Sequence, residues 1–365
     1  MHGMGKLLTL SAYALAALAL AACGGSDDPP ADLDPTARAG GATRTFQLGI
    51  SSLPAAPSED SYEEAFELAS EAGEVVLIQR APPWADFLPG GSISNRTERL
   101  TRLERDLARD NDLDLFLAID FTVPGDRGTF ANLPESRAGQ DFSDPDIRAA
   151  FINYAKYLAL NYKPAYLALG VEVDMYFAAK GDGAFRNFLS LYFQAYDEVK
   201  SVSKNTLVFP TFQYEEMQGL LRGGSGQLPA WSLVQRFEPK IDMLAVSSFP
   251  GFIFDDVQQL PMDYYTGLKG RSTKPLALVS VGWSSTAARP GESGESAQVT
   301  YLYRVLSAAD DLDAQLLVWY LGRDPVGVSS GPLHHLGTMG LHAQNGTAKT
   351  IWRVWLSAGA RPARE

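Results

Sequence analysis

Two carboxylates, Glu172 and Asp174, follow an apolar run at residues 165–171. The length of this run, its lack of polar alternation and the proline before it predict a strand buried on both faces, as in parallel sheets covered by helices. In a parallel barrel, side chains at the carboxyl ends of the strands line the mouth where active sites form. Glu172 is therefore a candidate functional residue by its position, and a structural salt bridge at the rim is the alternative.

Other apolar segments also end in polar and aromatic residues. Rings interleaved with carboxylates suit sugars, because the C–H faces of a sugar stack on rings while its hydroxyls exchange hydrogen bonds with charged and amide groups. For each aromatic residue, packing in the barrel core is the alternative. The predicted ligand-binding residues are Arg80, Trp84, Asp120, Asp174, Tyr176, Glu215, Phe249, Trp283 and Trp319.

From residue 45 to residue 365, apolar strand segments alternate with segments of helical periodicity. Eight such units, with no glycine-rich phosphate loop after the first strand, favour an α/β fold of the closed (β/α)₈ TIM-barrel type over a doubly wound sheet. We expect a single barrel domain over residues 45–365. The predicted strands are 46–51, 75–79, 113–119, 165–171, 206–210, 241–246, 275–280 and 315–320.

Four stretches carry a resemblance to a known family. They are the residues around Glu172 and Asp174, then 242–250 (DMLAVSSFP), 275–283 (PLALVSVGW) and 340–349 (GLHAQNGTAK). In order and placement they resemble clan A glycoside hydrolases, with some similarity to the endo-galactanases. The resemblance implies a (β/α)₈ barrel that takes a polysaccharide or oligosaccharide. It also implies glutamates at the ends of strands four and seven as acid/base and nucleophile, and Glu172 stands where the first belongs.

The sequence departs from the clan A pattern at two positions. Val171 replaces the asparagine that usually precedes the acid/base, and Ser280 stands where the nucleophile belongs. A neutral hydroxyl with no histidine nearby in sequence is a poor nucleophile, and it cannot offset the positive charge that develops on the sugar ring. The resemblance therefore implies that hydrolysis by the retaining route is nearly absent.

Three functions are compatible with the sequence. The first is a barrel that binds a glycan at its mouth with lost or altered hydrolysis. The second is an active glycosidase in which Glu172 acts as the general acid and a relocated carboxylate, Asp120, Glu215 or Glu216, activates water. The third is a non-catalytic scaffold of the cell envelope.

The first residues of the chain have the layout of an export signal. Lys6 precedes an apolar segment that ends in small residues, which predicts a signal peptide over residues 1–22. Residues 20–23 (LAAC) resemble a bacterial lipoprotein lipobox, which implies cleavage before Cys23 and lipidation of its sulfur. Residues 23–44 then form the lipidated cysteine and a polar, flexible tether. We expect a lipid-anchored protein of the bacterial cell envelope, at the outer rather than the inner membrane.

Charge and cysteine content narrow the possible partners. The formal net charge is -12, which argues against nucleic acid and against anionic lipid headgroups as the main partner. Cys23 is the only cysteine, so no disulfide framework supports the fold. His334, His335 and His342 lack ligand spacing and are predicted as loop residues. We expect no metal and no other cofactor, and contact with the membrane through the N-terminal lipid alone.

Overall fold

A computed structural model describes residues 43–221, 229–286, 294–328 and 334–364. Its central element is a closed parallel sheet built from the predicted strand segments, whose near-continuous apolar sequences are buried on both faces. The strands are β1 (Gln47–Ser51), β2 (Val75–Arg80), β3 (Asp114–Ile119), β6 (Tyr166–Ala168), β7 (Leu207–Phe209), β8 (Thr211–Gln213), β9 (Leu244–Ser248), β10 (Leu276–Val281) and β11 (Leu316–Trp319).

Closure of the sheet depends on a break at Pro210. β7 pairs with β6 on one side, β8 pairs with β9 on the other, and Pro210 alone separates β7 from β8. Because proline has no backbone N–H to donate to a neighbouring strand, the hydrogen-bond ladder is interrupted at Pro210. The two halves of one bent strand therefore pair with different neighbours. With β7 and β8 as the fifth strand and β11 paired with β1, the described strands form an eight-stranded barrel. The predicted (β/α)₈ fold is confirmed.

Helices cover the outside of the barrel. They are α1 (Glu59–Ser70), α2 (Trp84–Phe87), α3 (Asn95–Asp110), α4 (Pro145–Tyr162), α5 (Val173–Val202), α6 (Tyr214–Met217), α7 (Ser232–Gln235), α8 (Gly294–Asp311) and α9 (Thr350–Gly359). The residues at the start of α4 show why the helix begins there. The Asp144 side chain accepts hydrogen bonds from the N–H groups of Asp146 and Ile147, and Pro145 occupies the first turn.

A two-stranded hairpin follows the third barrel strand. It consists of β4 (Thr122–Val123) and β5 (Asp126–Phe130), which pair antiparallel around a turn where Gly125 has φ 82°. Phe130 stacks on Trp84 with centroids 6.0 Å apart, and the Ala131 N–H donates to the Phe121 carbonyl at 2.9 Å. These contacts fix the hairpin beside the barrel mouth.

The predicted signal peptide and Cys23 lie outside the described residues. Arg44, the last residue of the predicted tether, is already part of the folded body. Its N–H donates to the Pro362 carbonyl at 3.0 Å, and its guanidinium pairs with Glu74 and donates to the Arg361 carbonyl. Across the described ranges, no helix combines the length and apolarity that a membrane span requires.

Candidate functional site

Glu172 lies at the mouth of the barrel, between β6 and α5. Its backbone is in the left-handed region (φ 50°, ψ 53°), a conformation that costs a non-glycine residue about 1–3 kcal/mol. The Glu172 N–H donates to the Thr211 hydroxyl at 2.9 Å, which holds this backbone in place. The carboxylate accepts from the Ser247 hydroxyl at 2.7 Å through Oε1. Glu172 is therefore a fixed acceptor, with a side chain 14% exposed.

Arg127, from the β4–β5 hairpin, joins Glu172 to Asp120. Its Nε and Nη2 donate to Glu172 Oε2 at 3.0 and 2.7 Å, and its Nη1 donates to Asp120 Oδ1 at 2.6 Å. Gln79 donates to the other Asp120 oxygen at 2.8 Å. Because both carboxylates bind one planar guanidinium, their nearest oxygens lie within about 8 Å of each other. The mouth thus contains two acids and one cation in a single hydrogen-bonded cluster.

Burial and the positive charge of Arg127 have opposite effects on the pKa of Asp120. Burial raises the pKa of Asp120, and the neighbouring Glu172 carboxylate adds to this, whereas Arg127 and the Gln79 amide lower it. Every hydrogen bond that Asp120 accepts from these two side chains favours its charged form. Arg127 is therefore the group that allows two acids to remain side by side in a partly buried site.

Asp174 and Glu215 lie in the interior rather than at the open mouth. Asp174 lies in the first turn of α5, is 1% exposed and accepts a hydrogen bond from the Gln213 N–H at 2.9 Å, and burial raises its pKa well above the usual range. Asp174 was predicted to bind the ligand, and it is buried instead because α5 starts immediately after Glu172. Glu215 is fully buried, and its partners are the Ser248 hydroxyl at 2.5 Å, the Tyr264 hydroxyl at 3.0 Å, the Phe249 N–H and the Gln213 amide.

Four of the predicted sugar-stacking rings are core residues instead. Trp84, Tyr176, Trp283 and Trp319 are each at most 4% exposed. The Trp84 indole donates to the Ala131 carbonyl at 2.8 Å, and the Trp319 indole donates to the Met339 carbonyl at 2.9 Å. Tyr176 packs against Phe121 at 5.3 Å and Trp283 against Tyr301 at 5.5 Å. Their faces are occupied by protein, so they are not available to a ligand.

Arg80 also differs from the expectation that it lines the mouth. Its guanidinium pairs with the fully buried Glu104 carboxylate of α3 and donates to the Tyr162 hydroxyl at 3.3 Å. Successive side chains of a strand point to opposite faces. Gln79 reaches Asp120 inside the mouth, so the next residue points to the helix layer.

The comparisons with known proteins concern the fold. No protein-family model matches the sequence, and no curated protein matches it significantly. An exo-β-1,4-mannosidase from Opitutaceae bacterium strain TAV5 superposes with a TM-score of 0.65 at 18% identity, over 87% of this chain and 60% of that chain. A GH5_18 protein from Streptomyces cattleya in complex with Manβ1-4GlcNAc gives a TM-score of 0.66 at 13% identity, over 87% and 80%. A structure of fungal β-1,4-galactanases gives 0.55 at 15% identity, over 80% and 90%.

This chain has a glycoside hydrolase-like (β/α)₈ barrel fold. It spans about 60% of the length of the mannosidase, so the likeness extends to the barrel and not to the whole of that protein.

Within this glycoside hydrolase-like barrel, Ser280 lies beside Ser247, the residue whose hydroxyl binds the Glu172 carboxylate. Ser280 of β10 pairs in register with Ser247 of β9, and Ser247 donates to Glu172. The clan A resemblance assigns the second glutamate to position 280. Ser280 is 7% exposed, and its place at the nucleophile position stays a prediction from that resemblance.

Three mouth residues were not predicted from the sequence, namely Arg127, Gln79 and Tyr320. Burial and the charges of Asp120 and Glu172 raise the pKa of Tyr320 to about 12, so its hydroxyl stays neutral beside them. Phe249, which was predicted, is half-buried and meets the Tyr320 ring at 5.3 Å. Residues 122–130 (TVPGDRGTF) carry a Pro-Gly turn between β-forming residues, and this is the signal that could have revealed the hairpin.

Proposed function

We propose that this protein binds a glycan at the mouth of its barrel and does not cleave it by the retaining route with two carboxylates. Three features support glycan binding: the fold, the fixed acceptors Glu172 and Asp120, and the partly exposed rings of Phe249 and Tyr320 beside them. Acceptors and rings together are what a sugar requires, because its hydroxyls donate hydrogen bonds while its C–H faces stack.

The observation that carries the second half of the proposal is the set of side chains around Glu172 and Ser280. Both oxygens of Glu172 already accept hydrogen bonds, one from the Ser247 hydroxyl and the other from the Arg127 guanidinium. Ser280 supplies no negative charge for a developing oxocarbenium ion. A unit charge about 4 Å away at an effective dielectric near 20 is worth roughly 4 kcal/mol, which corresponds to about a thousandfold in rate.

The proposal includes attachment to a membrane. It rests on the apolar segment before residue 23 and on the single cysteine that follows it. Several acyl chains on Cys23 would give stable anchoring without any membrane-spanning helix, and would hold the barrel in the bacterial cell envelope. Mass spectrometry of the protein expressed in a bacterium tests this part. A lipidated N-terminus at Cys23 is expected, and an unmodified Cys23 in the mature protein overturns it.

Calorimetry with β-linked galactans, glucans and mannans tests the binding. We expect heat of binding with at least one of them for the wild type, and a loss of about tenfold in affinity for Glu172→Gln, since a charged acceptor is replaced by a neutral one. Glu71→Gln, an exposed glutamate just after α1, is the matched control and should bind as the wild type does. No binding by the wild type at millimolar sugar overturns the proposal.

A working glycosidase is the second candidate, and one observation favours it. Asp120 and Glu172 bind the same guanidinium, which limits their nearest oxygens to about 8 Å apart, and this limit is compatible with the range of about 6.5–9.5 Å found in inverting enzymes. Against it, Arg127 stands between the two acids where the attacking water would be. Release of reducing sugar by the wild type that Glu172→Gln abolishes would favour this candidate over the binding protein.

A further inference from the structure

The loops that lead into four neighbouring barrel strands carry an excess of positive charge. These strands are β6, β7, β9 and β10, and their first residues lie at the end of the barrel opposite the mouth. The loops contain seven basic and two acidic residues, in a protein whose formal net charge is -12. We call these loops the basic sector, which comprises residues 163–165, 203–206, 236–243 and 269–275.

Three lysines give the basic sector its free charge. Lys163, Lys204 and Lys269 are exposed, and within the described ranges none of them forms an ion pair or a side-chain hydrogen bond. The two acids of the sector do have partners. Asp242 pairs with Lys200 at 2.6 Å, and Glu238 accepts a hydrogen bond from the Ser272 hydroxyl at 2.8 Å. The basic sector therefore has a local positive potential that attracts an anionic partner.

Positive charge is confined to this side of the molecule. The loops that lead into the other four strands, β1, β2, β3 and β11, contain one basic and four acidic residues. At the mouth, Asp120 and Glu172 carry two negative charges and Arg127 one positive charge. An anionic surface therefore attracts the basic sector and repels the mouth, which favours one orientation of the barrel. The four acidic loops and their neighbours are residues 43–46, 71–74, 111–113 and 312–315.

The chain enters the barrel at the same end as the basic sector. Arg44 lies three residues before β1, and the predicted tether connects it to Cys23. A flexible chain as long as the 20 residues 23–42 spans roughly 25 Å on average. A lipid on Cys23 would thus keep this end of the barrel close to the bilayer. The position of the tether therefore favours a phospholipid surface over an acidic protein as the anionic partner.

We infer that the basic sector lies on an anionic phospholipid surface and holds the barrel with its mouth open away from the membrane. This inference rests on the proposed anchor and adds a second membrane contact to it, although the overall net charge argued against such a contact. The reason for the difference is that the lipid surface meets only the charges that face it, because salt screens charges more than about 10 Å away. In this orientation the mouth stays accessible to a polysaccharide outside the bilayer.

Vesicle sedimentation with the full chain carrying Cys23→Ser tests this contact in the absence of a lipid on residue 23. The vesicles consist of phosphatidylcholine alone, or of equal parts of phosphatidylcholine and phosphatidylglycerol. We expect tighter binding to the anionic vesicles, and this preference should be lost at high salt. Adding Lys163→Gln, Lys204→Gln and Lys269→Gln together should weaken binding to the anionic vesicles by about tenfold or more, since each cation near such a surface contributes about fivefold.

The matched control adds Arg102→Gln, Lys180→Gln and Arg353→Gln, which remove three exposed cations outside the basic sector. It changes the net charge equally and should alter the affinity by less than about threefold, because these charges do not face the surface. The apolar segment 1–22 is the same in all three proteins and cannot cause a difference between them. Thermal unfolding should show that both triple variants are folded.

Three outcomes overturn the inference. They are equal binding to the neutral and anionic vesicles, equal weakening by the two triple variants, and binding of soluble polyglutamate in preference to the vesicles, which would assign the basic sector to an acidic protein. Each of them leaves the proposed function in place, because glycan binding is measured by calorimetry and lipidation of Cys23 by mass spectrometry.

Discussion

Replacing Arg127 with methionine removes the one cation that joins Asp120 and Glu172. The Arg127 side chain is 9% exposed and its partners 5% and 14%, so solvent compensates poorly for its loss. Removing one partner of a buried ion pair costs about 3–5 kcal/mol, because the charges that remain are uncompensated. For a domain of this size, roughly 2 °C of melting temperature is lost per kcal/mol, so we expect the variant to melt about 5–10 °C lower at neutral pH.

The pH dependence of this loss provides a sharper test. Burial already raises the pKa of Asp120, and the loss of Arg127 raises it further. A carboxyl group whose pKa is higher in the folded than in the unfolded chain stabilises the fold at low pH. This contribution disappears as the pH rises from about 4, the unfolded pKa, to the folded pKa. The difference in melting temperature between wild type and variant should therefore be larger at pH 7 than at pH 4.5.

Differential scanning calorimetry at both pH values measures this difference. Arg109→Met is the control, because Arg109 is 68% exposed and pairs with the exposed Asp106 and Asp110, and it should change the melting temperature by less than about 1 °C. A loss for Arg127→Met below about 2 °C, or a loss that grows toward low pH, would refute the argument that Arg127 holds the two acids together.

Three further substitutions test other parts of the structure. Ser280→Glu should hydrolyse an aryl glycoside, whose good leaving group needs no protonation by Glu172, up to about a thousandfold faster than the wild type does. Ser280→Gln should stay at the background rate, and equal rates for the two variants would contradict the role of the negative charge. Trp84→Ala should destabilise the fold by about 3–5 kcal/mol in denaturant unfolding without changing glycan affinity, and a selective loss of binding would count against its core placement. Lys349→Met leaves Asp324 buried without its cation and should lower the free energy of unfolding by about 3–5 kcal/mol. Adding Asp324→Asn to the same chain should restore part of this stability, and no recovery would argue against the pairing.

The side-chain direction at strand ends explains which site residues could be predicted. Asp120 directly follows β3 and Glu172 comes four residues after the end of β6, and both carboxylates lie at the mouth as expected. At the ends of β2 and β11, two adjacent polar or aromatic residues could each face the mouth. Arg80 and Trp319 were predicted to do so, whereas Gln79 and Tyr320 lie there. Side chains alternate with a period of two, so an error of one residue exchanges the mouth for the helix layer.

The sequence alone determined the barrel and the position of its acid. Unbroken apolar segments that alternate at regular spacing with helical periodicity are typical of a parallel sheet covered by helices, and this pattern is local enough to be recognised segment by segment. The tertiary structure decided the chemistry of the mouth. Arg127 meets Glu172, 45 residues away, only because a hairpin folds over the barrel. Contacts between residues distant in the chain leave no periodic signal in the sequence, and they determine which hydrogen-bond partners a carboxylate has.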